Sequence, residues 1–287
     1  MKRILVLLIT VLFLHGCSTQ TYHANFDMVT APDGVPVAYS VYGEGDVSLV
    51  FIHGWGGDSG YWQNQIPYFS QNYKIVTIDL AGHGDSGTDR NEYTPQSFAG
   101  DIKSVVEEQD LHNVILIGHS MSGYIIAYAA NMMPDRVIGL IGVDTIHNVE
   151  YKFTRQQADD FLKPFEENFT QKSDSFIRDM FPENANQDLV DKVANDVSSA
   201  PKEVGVSALK NYFNQFVTGE AVQVFEKVNV PVWAVNADFW KTETELNRKH
   251  IRNFHVIMMD DIGHFPMLEK PDEFNHLLGK AVRKIKR

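Results

Sequence analysis

Six short apolar runs constrain the fold of this chain more than any other feature of its sequence. They are rich in valine, isoleucine and leucine, and they cover residues 48–52, 74–80, 114–117, 137–143, 230–235 and 255–259. Continuous apolar runs of this length are typical of strands that are buried on both faces of a parallel sheet. The runs therefore predict the central strands of one buried sheet.

The segments between several of these runs are long enough for helices, such as residues 94–108 and 122–133. Strands that alternate with helices predict a parallel sheet with right-handed crossovers. Residues 35–42 alternate in polarity and precede the turn 43–46, which fits a half-exposed entry strand. With 287 residues, 44% of them hydrophobic, one large domain suffices. The predicted fold class is α/β, with a mostly parallel central sheet flanked by helices.

One interval, residues 147–227, contains no buried strand pattern and instead predicts a helical cap. Phenylalanines recur at helical spacing at its start and continue through it: Phe161, Phe165, Phe169, Phe176, Phe181, Phe213 and Phe216. We expect most of them to pack the cap onto the sheet domain and a minority to line a pocket, since a cap over strand ends encloses an apolar cavity. The core is then expected over residues 26–146 and 228–287.

The first residues resemble a bacterial lipoprotein signal. Lys2 and Arg3 precede an apolar run, 4–14, which is far shorter than the roughly 20 residues of a membrane-spanning helix and suits a signal peptide. The run leads into LHGCS at 14–18, which is similar to a lipobox with an unusual histidine. Cys17 is the single cysteine of the chain. We expect a signal peptide over 1–16, lipidation of Cys17 and a tether over 17–25; the alternative is an ordinary signal peptide that contains this cysteine.

Charge and targeting restrict the partners. The formal net charge of −12 at pH 7 repels nucleic acid and anionic lipid surfaces, so we expect membrane contact only through the lipid anchor. Ser18 stands where the lipoproteins that this segment resembles carry aspartate for inner-membrane retention. The expected location is therefore the outer membrane of a bacterium, facing the periplasm.

The motif with the clearest chemistry is GHSMSG at residues 118–123, between an apolar run and a helical segment. A serine on a sharp turn between strand and helix has an exposed hydroxyl, and small residues two positions away on either side allow strand and helix to approach. Gly118 and Ser122 are those neighbours, although the usual pattern has glycine at the second position. Ser120 is the predicted nucleophile; the alternative is a glycine and a capping serine at a helix start.

Four segments in order resemble the α/β-hydrolase superfamily, in its capped, esterase-like branch: HGWGG at 53–57, DLAGHGDS at 79–86, GHSMSG at 118–123 and GHFP at 263–266. The resemblance covers nearly all of the chain from about Phe26. It implies an oxyanion hole formed by the backbone amides of Trp55 and Met121. We interpret His53 and the turn that contains His83 as structural.

His264 is the predicted general base, because the resemblance implies the chain order serine, acid, histidine and His264 follows the last strand-like run. No HxxxH or HExxH pair is present, so neither a metal site nor a cofactor is expected. Two aspartates at strand ends, Asp144 and Asp238, could orient this histidine. The resemblance makes the strand after the cap the commoner place and favours Asp238, while Asp260 and Asp261 are too close to the histidine in sequence.

These residues predict a serine hydrolase that cleaves an ester-like bond of a small, mainly apolar substrate through an acyl-enzyme. Carbon–carbon bond hydrolysis, thioester cleavage and peptidase activity use the same triad and stay open. A catalytically silent binding protein on the same fold is the rival of another class.

Overall fold

An eight-stranded sheet runs through the part of the chain that the computed structural model describes, residues 25–286. The signal peptide and Cys17 lie outside the described residues. The strands are β1 (Asn25–Thr30), β2 (Pro36–Tyr42), β3 (Ser48–Ile52), β4 (Lys74–Ile78), β5 (Val114–His119), β6 (Val137–Val143), β7 (Val232–Ala237) and β8 (Phe254–Met259). Their spatial order is β1-β2-β4-β3-β5-β6-β7-β8.

The sheet is parallel from β4 to β8, and only β2 runs against its neighbours β1 and β4. Every residue of β3 and β5 is buried, as expected for central strands covered on both faces. This architecture confirms the predicted α/β class with a mostly parallel sheet.

Helices cover both faces of the sheet. Among the described residues they are α1 (Ile66–Phe69), α2 (Pro95–Glu108), α3 (Ser122–Met132), α4 (Arg155–Glu167), α5 (Phe169–Arg178), α6 (Gln187–Ser198), α7 (Lys202–Thr218), α8 (Glu220–Glu226), α9 (Thr244–Asn247), α10 (Pro266–Glu269) and α11 (Pro271–Ile285), with a short 3₁₀ turn at Ser59–Trp62. Helix α3 packs on β5 and β6 from one face, and α11 packs on β6 and β7 from the other. No helix within residues 25–286 is both long and apolar enough to cross a membrane.

Helices α4 to α8 lie between β6 and β7, and we refer to them as the helical insertion. A capping box begins α4: Thr154 accepts from the Gln157 amide, and the Gln157 side chain accepts from the Thr154 amide. The apolar face of α4 is buried, with Phe165 fully enclosed against the ring of Trp55. The insertion thereby packs directly on the loop that follows β3.

The parallel register fixes which residues share the edge of the sheet where β5, β6 and β7 end. His119 pairs with Val143, and Val143 pairs with Val235. The next residues of the three strands, Ser120, Asp144 and Asn236, therefore stand side by side. Ligand sites of open parallel sheets lie at this carboxyl edge.

A buried ion pair holds the loop after β4 in place. The side chain of Arg90 is 3% exposed and donates two hydrogen bonds to Asp101 of α2, whose side chain is fully buried. Arg90 also contacts Asp33 in the β1–β2 turn at 2.6 Å, and Asp101 accepts a hydrogen bond from the Ala81 amide. One guanidinium therefore joins three separate segments.

Replacing Arg90 by methionine should lower the free energy of unfolding by about 3–5 kcal/mol, because Asp101 is left as a buried charge without its partner. Urea denaturation measures this loss. The matched control is Lys103→Met, which breaks an exposed pair with Glu107 and should cost about 0.5 kcal/mol or less. Equal losses in the two variants would contradict a structural role of the buried pair.

Candidate active site

Ser120 lies on the turn between β5 and α3 with a backbone φ of 54°. This left-handed conformation is unusual for serine and is held by a hydrogen bond from the Ser120 amide to the Val143 carbonyl at 3.0 Å. A Cβ on Gly118 would lie 2.5 Å from the Ser122 carbonyl oxygen, so only glycine allows strand and helix to approach this closely. The strained turn directs the Ser120 hydroxyl out of the sheet.

Ser122, which replaces the usual second glycine, has a contact that glycine could not make. Its side chain is fully buried, and its hydroxyl donates a hydrogen bond to the backbone carbonyl of His53. This bond ties the nucleophile turn to the loop after β3. The departure from the common motif therefore adds a cross-link between the two loops.

The His264 imidazole connects Ser120 to a carboxylate. Its Nε2 lies 2.8 Å from the Ser120 hydroxyl oxygen, and its Nδ1 lies 2.6 Å from Oδ2 of Asp144. Since a carboxylate accepts, Nδ1 carries the proton and Nε2 is free to accept the serine proton.

The loop that carries His264 is held by its neighbours on all sides. The Glu269 carboxylate accepts from the amides of Gly263 and Phe265, at 3.0 and 2.9 Å. The His264 amide donates to the Met180 carbonyl in the helical insertion at 3.0 Å, and its carbonyl accepts from His119 Nε2 at 2.8 Å. The imidazole is therefore preorganised by both the core and the insertion.

Asp144 is fully enclosed at the end of β6. Its side chain is inaccessible to solvent, and Oδ1 accepts a hydrogen bond from the Ala237 amide at 2.9 Å. A second histidine, His147, places Nε2 3.6 Å from the same oxygen, and burial lowers the pKa of His147. These contacts fix the carboxylate toward His264.

The expectation that Asp238 orients His264 is corrected by this geometry, because Asp144 makes the contact. The apolar run suggested that the strand ends at 235, whereas β7 continues to Ala237 and Asp238 bonds to Met259 of β8 through its amide. Asp238 thus lies two residues beyond the level of Asp144, or about 6.6 Å along a strand. Its side chain is exposed and makes no contact with His264.

Asn236 lies on β7 next to Asp144, and its side chain forms hydrogen bonds with the turn that follows Asp144. Its side-chain oxygen accepts from the Thr145 amide at 3.1 Å, and its nitrogen donates to the Thr145 carbonyl at 2.8 Å and to the Thr242 hydroxyl at 3.0 Å. The Thr242 hydroxyl also contacts His147 Nδ1 at 3.0 Å. Sequence reasoning missed the supporting roles of Asn236, Thr242 and His147; the one signal available was an asparagine directly after the predicted strand at 230–235.

The amides of Trp55 and Met121 face no acceptor. Within residues 25–286 neither donates a hydrogen bond, and both residues line the cavity that contains Ser120. The Trp55 side chain is fixed, since its Nε1 donates to the Gly205 carbonyl at 2.9 Å and its ring packs edge-on against Phe169. Two unpaired amides beside a serine hydroxyl are suited to bind an oxyanion.

The cavity above Ser120 has a volume of about 490 Å³, and phenylalanine, tyrosine and tryptophan make up nearly half of the residues that line it. Four of the seven phenylalanines from which the cap was predicted line it: Phe161, Phe176, Phe213 and Phe216. The other three, Phe165, Phe169 and Phe181, are buried in packing, so the prediction that only a minority would line a pocket is wrong. Asp144 is the only carboxylate among the described residues that line the cavity, and no lysine or arginine joins it.

Two other histidines act as scaffold. His53 is fully buried; its Nδ1 donates to the Gly54 carbonyl at 2.7 Å, and its Nε2 accepts from the Leu80 amide at 3.0 Å. His83 Nδ1 contacts the Ala81 carbonyl at 3.1 Å, and burial lowers the pKa of His83 to about 3. No group of three His, Cys, Asp or Glu side chains in the described chain is placed to hold a metal ion.

Known proteins are similar to this chain in sequence and in fold. The model of the alpha/beta hydrolase family matches residues 49–277. The 3-oxoadipate enol-lactonase 2 of Acinetobacter baylyi is 22% identical over 90% of this chain and 97% of its own length. A non-heme chloroperoxidase of Streptomyces lividans is 33% identical, but the alignment spans 43% of this chain and just 46% of that protein.

Among solved structures, a thermophilic esterase from Thermogutta terrifontis superposes with a TM-score of 0.77 at 20% identity, covering 91% of this chain and 99% of its own. At this identity the likeness establishes the fold alone. The family model, however, covers well over half of the sequence. The chain belongs to the alpha/beta hydrolase family.

Proposed function

We propose that this protein is a serine hydrolase that cleaves a carboxylic ester through an acyl-enzyme. The observation that carries the proposal is the continuous hydrogen-bonded chain from Ser120 through His264 to Asp144, with distances of 2.8 and 2.6 Å. A serine with a base at hydrogen-bond distance, and a carboxylate that orients the base, is the arrangement that activates a hydroxyl for attack on a carbonyl.

In the proposed reaction the Ser120 oxygen attacks the ester carbonyl while His264 Nε2 takes its proton. The amides of Trp55 and Met121 stabilise the oxyanion, and the imidazolium then protonates the leaving alcohol as the tetrahedral intermediate collapses. A water molecule, deprotonated by His264, attacks the acyl-enzyme and releases the acid. Asp144 keeps the imidazole in the Nδ1–H tautomer and stabilises its positive charge in both halves of the reaction.

A small, mainly apolar substrate is supported by the contents of the cavity. Aromatic side chains of the helical insertion form much of its wall, and no lysine or arginine of the described chain faces it. Two similar proteins, the enol-lactonase and the thermophilic esterase, are named for hydrolysis of lactone or ester bonds. Thioester, peptide and carbon–carbon bonds remain alternatives, and parallel assays of an acyl ester series, a thioester and an aminopeptidase substrate discriminate among them.

A fluorophosphonate probe should label the folded protein at Ser120, because the probe reacts with a serine hydroxyl that a neighbouring base activates. Gel fluorescence and mass spectrometry of the labelled peptide measure this. Ser120→Ala should remove the label, whereas Ser122→Ala should keep most of it, since the Ser122 hydroxyl is bonded to a carbonyl. Folded protein that resists the probe would support the rival reading, a binding protein on this fold.

Asp144→Asn should lower kcat by about 10⁴-fold, because the amide no longer fixes the tautomer or stabilises the imidazolium. Asp238→Asn should leave kcat within about twofold, since its exposed side chain does not touch the triad and surface changes have small effects. The measurement is turnover of one activated ester by both variants, with thermal melts to verify folding. If turnover collapses in Asp238→Asn and not in Asp144→Asn, Asp238 is the acid that orients His264.

We further propose that Cys17 carries the lipid anchor and that the protein resides at the outer membrane. The charged start, the apolar run 4–14 and the single cysteine of the chain support this. Metabolic labelling with a fatty-acid analogue should mark the wild type and not Cys17→Ala, and cell fractionation should recover the labelled protein with outer membranes. Label that persists in the variant, or unanchored periplasmic protein, would refute the anchor at this site.

A further inference from the structure

Two phenol hydroxyls in the active-site cavity have no hydrogen-bond partner. Tyr124 lies in the first turn of α3, and Tyr212 lies on α7 in the helical insertion; both line the cavity. Neither hydroxyl forms a hydrogen bond with another residue in the described part of the chain, and neither oxygen is among the buried atoms without a partner, so both oxygens are accessible. Two hydroxyl donors without a protein partner, on residues that line a mainly apolar cavity, are available to bind a polar group of a ligand.

The two rings are held in fixed positions. The Tyr124 ring packs edge-on against Phe216 and Phe225, at 5.2 and 5.3 Å between centroids, and against Tyr212 itself at 5.8 Å. Tyr212 also contacts Phe213 of the same helix. Because the rings cannot turn away without losing these contacts, the two tyrosine side chains are held next to one another in the cavity wall.

The chemistry of the cavity selects the kind of group that they bind. Burial, together with the adjacent Tyr212, raises the pKa of Tyr124 well above its usual value, and burial raises the pKa of Tyr212. Both hydroxyls therefore stay protonated and can donate. A carboxylate would enter a cavity that already contains Asp144 and no cationic lysine or arginine from the described chain, and that burial is costly.

We propose that Tyr124 and Tyr212 form a recognition site for a second, uncharged oxygen of the substrate, such as a ketone, lactone or ether oxygen. This inference rests on the proposed function and specifies its substrate class: an apolar ester with a neutral oxygen acceptor away from the bond that is cleaved. Asp144 and His147 follow the end of β6, whereas Tyr124 lies on α3 and Tyr212 lies on α7. The acceptor therefore belongs to the part of the substrate that extends toward α7.

Matched substrates test the proposal. One series compares 4-nitrophenyl heptanoate with its 4-, 5- and 6-oxo derivatives, and a second compares heptyl acetate with acetates of oxo-heptanols, so that either side of the ester can reach the tyrosines. At least one oxo ester should exceed its parent in kcat/KM by about tenfold, from two hydrogen bonds worth about two- to tenfold each. The 4-nitrophenyl ester of heptanedioic acid, which ends in a carboxylate, should be poorer than the parent.

The variants Tyr124→Phe and Tyr212→Phe should each reduce the ratio of kcat/KM for the oxo ester to kcat/KM for its parent by about two- to tenfold. Tyr128→Phe is the matched control, because this tyrosine lies one turn further along α3, its hydroxyl also lacks a partner, and it does not line the cavity. It should keep the full preference. If the tyrosines had a merely structural role, the variants would lower kcat/KM for the parent and the oxo ester by the same factor.

The possible failures are distinguishable. The tyrosine site is overturned if the wild type hydrolyses both series without preferring any oxo ester. It is also overturned if the preference survives in the double variant that combines Tyr124→Phe with Tyr212→Phe. Either result leaves the esterase proposal standing. A tyrosine-dependent preference for the carboxylate ester overturns the uncharged acceptor. Folded protein that hydrolyses none of these esters defeats the proposed function and the recognition site with it.

Discussion

The pairing of three parallel strands is the constraint on which the rest of this molecule depends. Because His119 is opposite Val143 and Val143 is opposite Val235, the first residues beyond these pairs are placed next to one another without any long-range adjustment. A shift of one pair would turn every side chain of a strand to the other face and separate Ser120 from Asp144. The placement of Ser120 next to Asp144 is thus set by the pairing of the strands and not by the conformation of the loops.

The helical insertion is part of this geometry, although it contributes no member of the triad. The carbonyl of Met180 holds the His264 amide, and Phe181 stacks on Phe265 with ring centroids 5.0 Å apart. Positions of this precision need support from neighbouring contacts. The insertion therefore both closes the cavity and fixes the base, so that the two functions cannot be separated.

Local patterns in the sequence predicted the features that local physics determines. The apolar runs predicted six strands of the sheet, although β8 is a partly exposed edge strand and not a buried central one. The small residues around Ser120 predicted the strand-turn-helix bend. Of the two aspartates considered, the sequence favoured the wrong one, because the choice depends on where a strand ends. Strand β7 extends to Ala237 through its pairing with β8, and no feature of the run at 230–235 reveals that pairing. The division of the phenylalanines between packing and cavity depends likewise on how α4, α5 and α7 face one another.

The placement of Asp144 on β6 also changes what the loop after β7 has to do. In an arrangement with the acid on β7, that loop would have to hold a carboxylate against the histidine. Here it presents Phe239 and Trp240, partly exposed aromatic residues, and the Trp240 ring meets the His264 ring at 5.1 Å between centroids. The loop therefore holds no carboxylate against His264, but Trp240 both lines the cavity and packs on the imidazole, so a substitution of Trp240 would change the cavity wall and the support of His264 together.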